Sequence, residues 1–151
     1  MIYSFKIADW HSNSIYFLKK IRENMHEVKV TDINIKKLKE EIGKISDPRR
    51  AYGNIRHKLE DIIIIGLLST ICMGEDFVDM EMFGRKRQEW LKTFLELPNG
   101  IPDSDTFRRV FERFNPKELS ESLTRWLESE RGQGSVINID GKTIRGSKYG
   151  G

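Results

Sequence analysis

One stretch constrains the fold more than any other. Ile62-Ile63-Ile64-Ile65-Gly66-Leu67-Leu68-Ser69-Thr70-Ile71-Cys72-Met73 is a dense apolar run, bounded by Asp61 before it and Glu75-Asp76 after it. As a helix, twelve residues reach about 18 Å at about 1.5 Å each. That falls well short of the roughly 30 Å hydrocarbon core of a bilayer, so the run is expected to be a buried core helix and not a membrane span. A chain of 151 residues and 17.7 kDa is long enough to build the core that would bury it.

The beginning of the chain, Met1-Ile2-Tyr3-Ser4-Phe5-Lys6, lacks a long apolar region and a small-residue cleavage site, which argues against secretion. Cys72 is the single cysteine, so an internal disulfide framework is excluded and a reducing compartment fits. A cytoplasmic protein that makes no membrane contact is the expectation. The net charge of +3 is too small to demonstrate a polyanionic partner, but it is unevenly distributed. Residues 1–60 carry a net +5, residues 61–135 a net −4 and residues 136–151 a net +2.

Most of the chain reads as helix. Ile15, Leu18 and Ile21 make one partial apolar face, and Ile35, Leu38, Ile42 and Ile45 a clearer one, with Thr31-Asp32 as its expected N-cap. Asp47-Pro48-Arg49-Arg50 opens a basic loop, because the residue before proline is pushed out of the α region. The buried helix over Leu59–Met73 should stop at Gly74, and a second helix over Phe77–Leu95 is weakened by Gly84. After the turn-rich Leu97-Pro98-Asn99-Gly100-Ile101-Pro102, Asp103 or Ser104 can cap a helix carrying Phe107, Val110, Phe111 and Phe114 at helical spacing. Asn115-Pro116-Lys117-Glu118 is the cleanest helix start: a capping Asn, a Pro at the first helical position and a Glu to close a capping box. Trp126 falls on the apolar face that follows. Past Gly132-Gln133-Gly134-Ser135 the pattern turns β-branched, Val136-Ile137-Asn138-Ile139-Asp140, then Gly141-Lys142 and Thr143-Ile144-Arg145, the sequence of a strand, a turn and a second strand.

Three stretches in this order, Asp47-Pro48-Arg49-Arg50, Leu97 to Phe111 (LPNGIPDSDTFRRVF) and Ile139 to Ser147 (IDGKTIRGS), resemble the DDE transposases of bacterial insertion sequences to which the H-repeat-associated proteins of Rhs elements belong. The resemblance implies a mostly α fold: a helical N-terminal extension over 1–46, a helical transposase-associated domain over 47–135, and over 136–151 the first β-hairpin of a truncated RNase H-like catalytic domain. It also implies that Asp140 is the first metal-binding carboxylate of a site that holds Mg²⁺ in the full-length family. Two-metal phosphoryl transfer needs carboxylates to hold two ions about 4 Å apart, and a strand end is a rigid platform for one. On the bare residues, Asp140-Gly141 is equally ordinary turn chemistry. The family site needs a second Asp and a Glu far downstream, and the sequence stops eleven residues after Asp140. The expectation is therefore an N-terminal transposase fragment that is catalytically inactive by itself and binds no metal.

DNA is the expected partner, through Arg49, Arg50, Arg56, Lys58, Arg108, Arg109, and Lys142 and Arg145 of the basic tip, since Lys and Arg contacts to phosphates supply sequence-independent affinity. The Arg49-Arg50 pair is the strongest of these, with only Asp47 beside it. Arg108, Arg109 and Arg113 lie opposite the Phe face of their helix, where an ordinary solvated face would also put them. The alternative is a helical interaction domain that associates with itself or with a transposase catalytic domain without binding DNA. His11, His26 and His57 have no metal-ligand spacing, Cys72 reads as core filler, and Gly141-Lys142-Thr143 lacks the glycine spacing of a phosphate loop.

Overall fold

The computed structural model describes residues 10–23, 25, 33–49 and 55–131. Within these lie seven helices: α1 (Trp10–Glu23), α2 (Ile35–Ile42), α3 (Leu59–Ile71), α4 (Phe77–Lys86), α5 (Gln88–Leu91), α6 (Ser104–Arg113) and α7 (Pro116–Arg131). Among the described residues there is no strand, and the β-hairpin expected after residue 135 lies outside them.

The apolar run is the axis of the fold. Every residue from Asp61 to Thr70 is buried, because α1, α2, α4 and α6 all pack on α3. A helix apolar around its whole circumference has no solvent face to offer and needs such a sheath. Gly66 marks the closest approach: a Cβ there would sit 2.7 Å from Cζ of Phe111 and 3.2 Å from Sδ of Met80. Phe111 is itself fixed, with ring centroids 6.3 Å from Phe77 and 5.8 Å from Phe114. No helix among the described residues is long and apolar enough to cross a membrane.

The far end of α3 is closed differently from the expectation. Gly74 N donates to the Ser69 carbonyl at 2.8 Å and Met73 N to that of Thr70 at 3.0 Å, the bond pair of a helix end whose next residue is left-handed. That residue is Met73, at φ 76, and not Gly74. Gly74 is required for space, since a Cβ there would lie 2.4 Å from Ser69 Oγ. Arg22 of α1 crosses to this end and donates from Nη1 to the carbonyls of Thr70 and Gly74, each at 3.3 Å. A cation on carbonyls at a helix C-terminus is favourably placed in the helix field. Cys72, expected as core filler, is exposed here.

The helix expected over Phe77–Leu95 is broken at Arg87 into α4 and α5. Gly84 does not cause the break. It lies inside α4, where Ile101 closes on it so that a Cβ would meet Cγ2 of Ile101 at 2.6 Å. The N-cap of α2 is Asn34, whose Oδ1 accepts from Lys37 N at 3.0 Å, and not Thr31-Asp32.

The helix α7 runs antiparallel to α2 and is fastened to it at three levels. Glu118 Oε1 accepts from Ser46 N at 2.6 Å, Arg125 donates to Glu41 at 2.8 Å, and Glu130 Oε1 accepts from Asn34 N at 2.7 Å. Asn115 caps α7 as expected, taking Lys117 N at 2.9 Å and Glu118 N at 3.2 Å. Glu118 does not close the capping box, because Ser46 across the interface claims its carboxylate. Trp126 is fully buried beneath this contact. Phe17, Leu18 and Ile21 of α1 and Leu38 and Ile42 of α2 join the same core as α3, α6 and α7, so packing continues across residue 46.

Candidate nucleic-acid interface

Several of the expected DNA-contacting residues, Arg56, Lys58, Arg108 and Arg109, lie on three neighbouring segments: the approach to α3 (residues 55–58), the loop 97–103 and the first turns of α6. The loop is held from beneath. Leu97 is buried and takes φ 46, a left-handed conformation that is costly for a branched side chain. Its N–H donates to Oδ2 of Asp61 at 3.1 Å, which ties the loop to the first turn of α3. Asp61 Oδ1 is buried and finds no hydrogen-bond partner among the described residues. Burial outweighs the Leu97 bond and pushes the Asp61 carboxyl above its ordinary range.

From that anchored start the loop reaches outward. Asn99 Nδ2 donates to the Arg56 carbonyl at 2.5 Å, fixing the backbone from which the Arg56 side chain projects into solvent. Asp103 caps α6 through Thr106 N at 2.8 Å. That bond first, with the positive charge of Arg109 and of His57 when it is protonated, holds the Asp103 carboxyl low. His57 is half-buried between them, and its imidazole is pushed down by burial first and then by the Arg56 and Arg49 charges, with Asp103 pulling the other way. Arg56, His57, Asp103 and Arg109 are thus one electrostatic group, drawn from two segments, residues 56–57 and 103–109.

The predicted DNA contacts separate into kinds. Arg56 is exposed, and no ion pair to it is found among the described residues. Arg109, 65% exposed at its side chain, pairs with Asp105 at 2.8 Å. Arg108 is held by Asp105 and, at 3.2 Å, by Glu112. The Asp105 hydrogen bond raises its already high affinity for its proton. Lys58 is paired with Glu96, whose hydrogen bond likewise pushes the ammonium up.

Arg49 points inward: its side chain is only 14% exposed, it chelates Asp47 at 2.8 and 3.0 Å, and it donates to the His57 carbonyl at 2.6 Å. Burial works against the Asp47 charge, but the Arg49 bonds overcome it and hold that carboxyl low. Arg49 therefore braces the corner through Asp47 and the His57 carbonyl. Arg50, Lys142 and Arg145 lie outside the described residues, as does Asp140. Sequence reasoning gave Asp61, His57 and Asn99 no part in this corner and Asp103 only its capping role. Of the first three, His57 carried a signal, standing between Arg56 and Lys58.

Elsewhere, an open groove between α2 and the turn after α5 is lined by Lys36, Lys39 and Lys92 with Glu40 and Glu96. Its lysines are largely engaged, Lys39 with Glu60 at 3.7 Å and the Phe94 carbonyl at 2.9 Å, and Lys92 with Glu89 at 3.9 Å.

A model of the family described as DDE_Tnp_1-associated matches residues 39–127, which spans α3 to α6, the second half of α2 and α7 up to Leu127. The chain belongs to this transposase-associated family. Among curated relatives, 40% identity over 109 residues links it to an "Uncharacterized protein in dhlA 3'region" of Xanthobacter autotrophicus, covering 70% of this chain and 37% of that protein. The "H repeat-associated putative transposase YbfD" of Escherichia coli K12 is 36% identical over 117 residues, 76% of this chain and 46% of the relative. The "Inactive transposase YbfQ" of the same strain is 37% identical over 78 residues, 52% of this chain and 92% of the relative. The chain spans between 30% and 40% of the length of three of the curated relatives that it matches. No solved structure matches.

All the corner residues, Asp47, Arg49, Arg56, His57, Asp61, Asn99, Asp103 and Arg109, fall inside the transposase-associated match. Among the described residues, no three His, Cys, Asp or Glu side chains are grouped so as to hold a metal ion. Asp140, the carboxylate that the resemblance implies as an Mg²⁺ ligand, lies outside the described residues.

Proposed function

We propose that this chain is the DNA-contacting helical part of a DDE transposase, and that it grips the phosphate backbone through Arg56 and Arg109. The observation that carries this reading is the corner itself. Two exposed guanidinium groups from distant segments act on the His57–Asp103 pair, Arg56 on His57 and Arg109 on Asp103, beside backbone held by Asn99 and Asp103. Backbone immobilised before binding lowers the ordering cost of a phosphate contact. His57 and the intrahelical partners of Arg108 and Arg109 set the charge around them.

The role proposed for the described helices is DNA contact and not strand cleavage, which needs several carboxylates around two metal ions. Mg²⁺- or Mn²⁺-dependent nicking by this chain, abolished by Asp140→Asn, would contradict that proposal.

The test of DNA contact is fluorescence anisotropy with the duplex ends of the insertion sequence that carries this gene, at low salt. Binding that weakens about tenfold or more in Arg56→Ala/Arg109→Ala, with the helical circular dichroism unchanged, supports the proposal. A second reading, an interaction domain without DNA affinity, is favoured by one observation: Asp105, Glu112 and Glu96 already neutralise Arg108, Arg109 and Lys58. Parent protein that shows no binding at low salt would decide for it.

A further inference from the structure

Among the described residues, four large apolar side chains are well exposed: Ile55, Met73, Val78 and Met82. Three of the four belong to α4 and the turn that enters it. Val78 is 55% exposed and Met82 47%, one helical turn apart on the face opposite the buried Met80 and Gly84. Met73, 67% exposed, stands in the turn before the helix. Exposed apolar residues scattered singly need no explanation, whereas a stripe along one helix does.

The charges flanking this stripe are segregated by end. Glu75, Asp76 and Asp79 lie at the start of α4, and Arg85, Lys86 and Arg87 at its finish. We propose that this face is a contact between two copies of the chain, packed α4 against α4 in antiparallel orientation about a twofold axis that passes midway between Val78 and Met82. In that register Val78 of one copy lies opposite Met82 of the other, and Glu75 lies opposite Arg85 and Lys86. A parallel pairing would set Glu75 against Glu75 and Lys86 against Lys86, so charge selects the antiparallel, self-complementary arrangement. Within one copy Glu75 pairs with Lys19 at 2.6 Å and Arg85 with Glu81 at 2.9 Å. No pair to Lys86 or Arg87 is found among the described residues, which leaves cations available to a second copy.

The helix is ten residues long, about 15 Å, so the buried area sits at the small end of specific interfaces and the association is weak and concentration-dependent. The contact is separate from the DNA corner, and each can fail without the other.

Sedimentation equilibrium of the full chain over a wide concentration range is the test. The expected result is a reversible monomer–dimer equilibrium that Val78→Asp weakens by about tenfold or more, since it would bury a carboxylate in the contact. Lys86→Glu should weaken it too. In a Cys72→Ser background, mixing chains carrying Val78→Cys with chains carrying Met82→Cys should give a disulfide-linked pair under mild oxidation. A Lys117→Cys control on α7 should not. A parent chain that stays monomeric throughout overturns the proposal. So does a dimer that Val78→Asp leaves intact and that shows no preferential cross-link.

Discussion

Arg125 of α7 places its Nε 2.8 Å from Oε1 of Glu41 on α2, and Glu41 is only 2% exposed although it stands on a helix rich in lysine. Burial raises the cost of its charge, but the hydrogen bonds from Arg125 and Lys44 outweigh that and hold the carboxyl below its ordinary value. The pair is the middle of the three fastenings between α2 and α7.

Because the folded-state pKa of Glu41 is depressed from 4.5, its contribution to stability is complete above that value and disappears as pH falls through the lower, folded-state one. Glu41→Gln should cost about 1–2 kcal/mol at neutral pH, discounted because Arg125 is half-exposed. It should also flatten the acid limb of stability. Urea denaturation across the acid range checks both.

Asp61 has the opposite sign. Its folded-state pKa is raised above 3.8, so stability declines as pH rises through the window between 3.8 and the higher, folded-state value. Asp61→Asn keeps an acceptor for Leu97 N and removes the buried charge. It should unfold with less pH dependence across that window. Asp61→Ala orphans the buried Leu97 N–H and should cost about 1–3 kcal/mol. Thermal melts of both variants at several pH values separate the two effects.

Gly66→Ala pits helix propensity, worth about 1 kcal/mol in favour of Ala, against a Cβ 2.7 Å from a Phe111 ring that cannot easily yield. Overpacking of a tight core costs about 1–3 kcal/mol. The net result should be destabilisation, read as a lower Tm.

The sequence made the helices legible wherever local chemistry decides them. The apolar run announced α3, Asp103 and Asn115 announced the starts of α6 and α7, and the Phe107/Phe111/Phe114 spacing announced the buried face of α6. What stayed hidden depends on contacts far apart in the chain. Glu118 looks like a capping-box residue until Ser46 arrives beside it, and Arg49 looks like a free cation until Asp47 and the His57 carbonyl enclose it. Gly84 reads only as a weakening of its helix, because the approach of Ile101 leaves no local trace. Of the candidate interface, the arginines were visible, but not which of them face out.

Arg49 should accordingly behave as a structural residue. Arg49→Ala removes a largely buried guanidinium that bridges Asp47 and the His57 carbonyl, and should lower stability by about 1–3 kcal/mol. Any loss of DNA affinity should follow that loss of fold. Chemical denaturation with binding measured in parallel checks this order of effects.

The most direct test of the DNA-contacting corner is the salt dependence of affinity for duplex DNA. For Arg56→Ala/Arg109→Ala, the slope of log affinity against log salt should be shallower than that of the parent by about 2, one counterion released for each lost phosphate contact. A parent slope near zero, or a slope that the double variant leaves unchanged, would contradict the account.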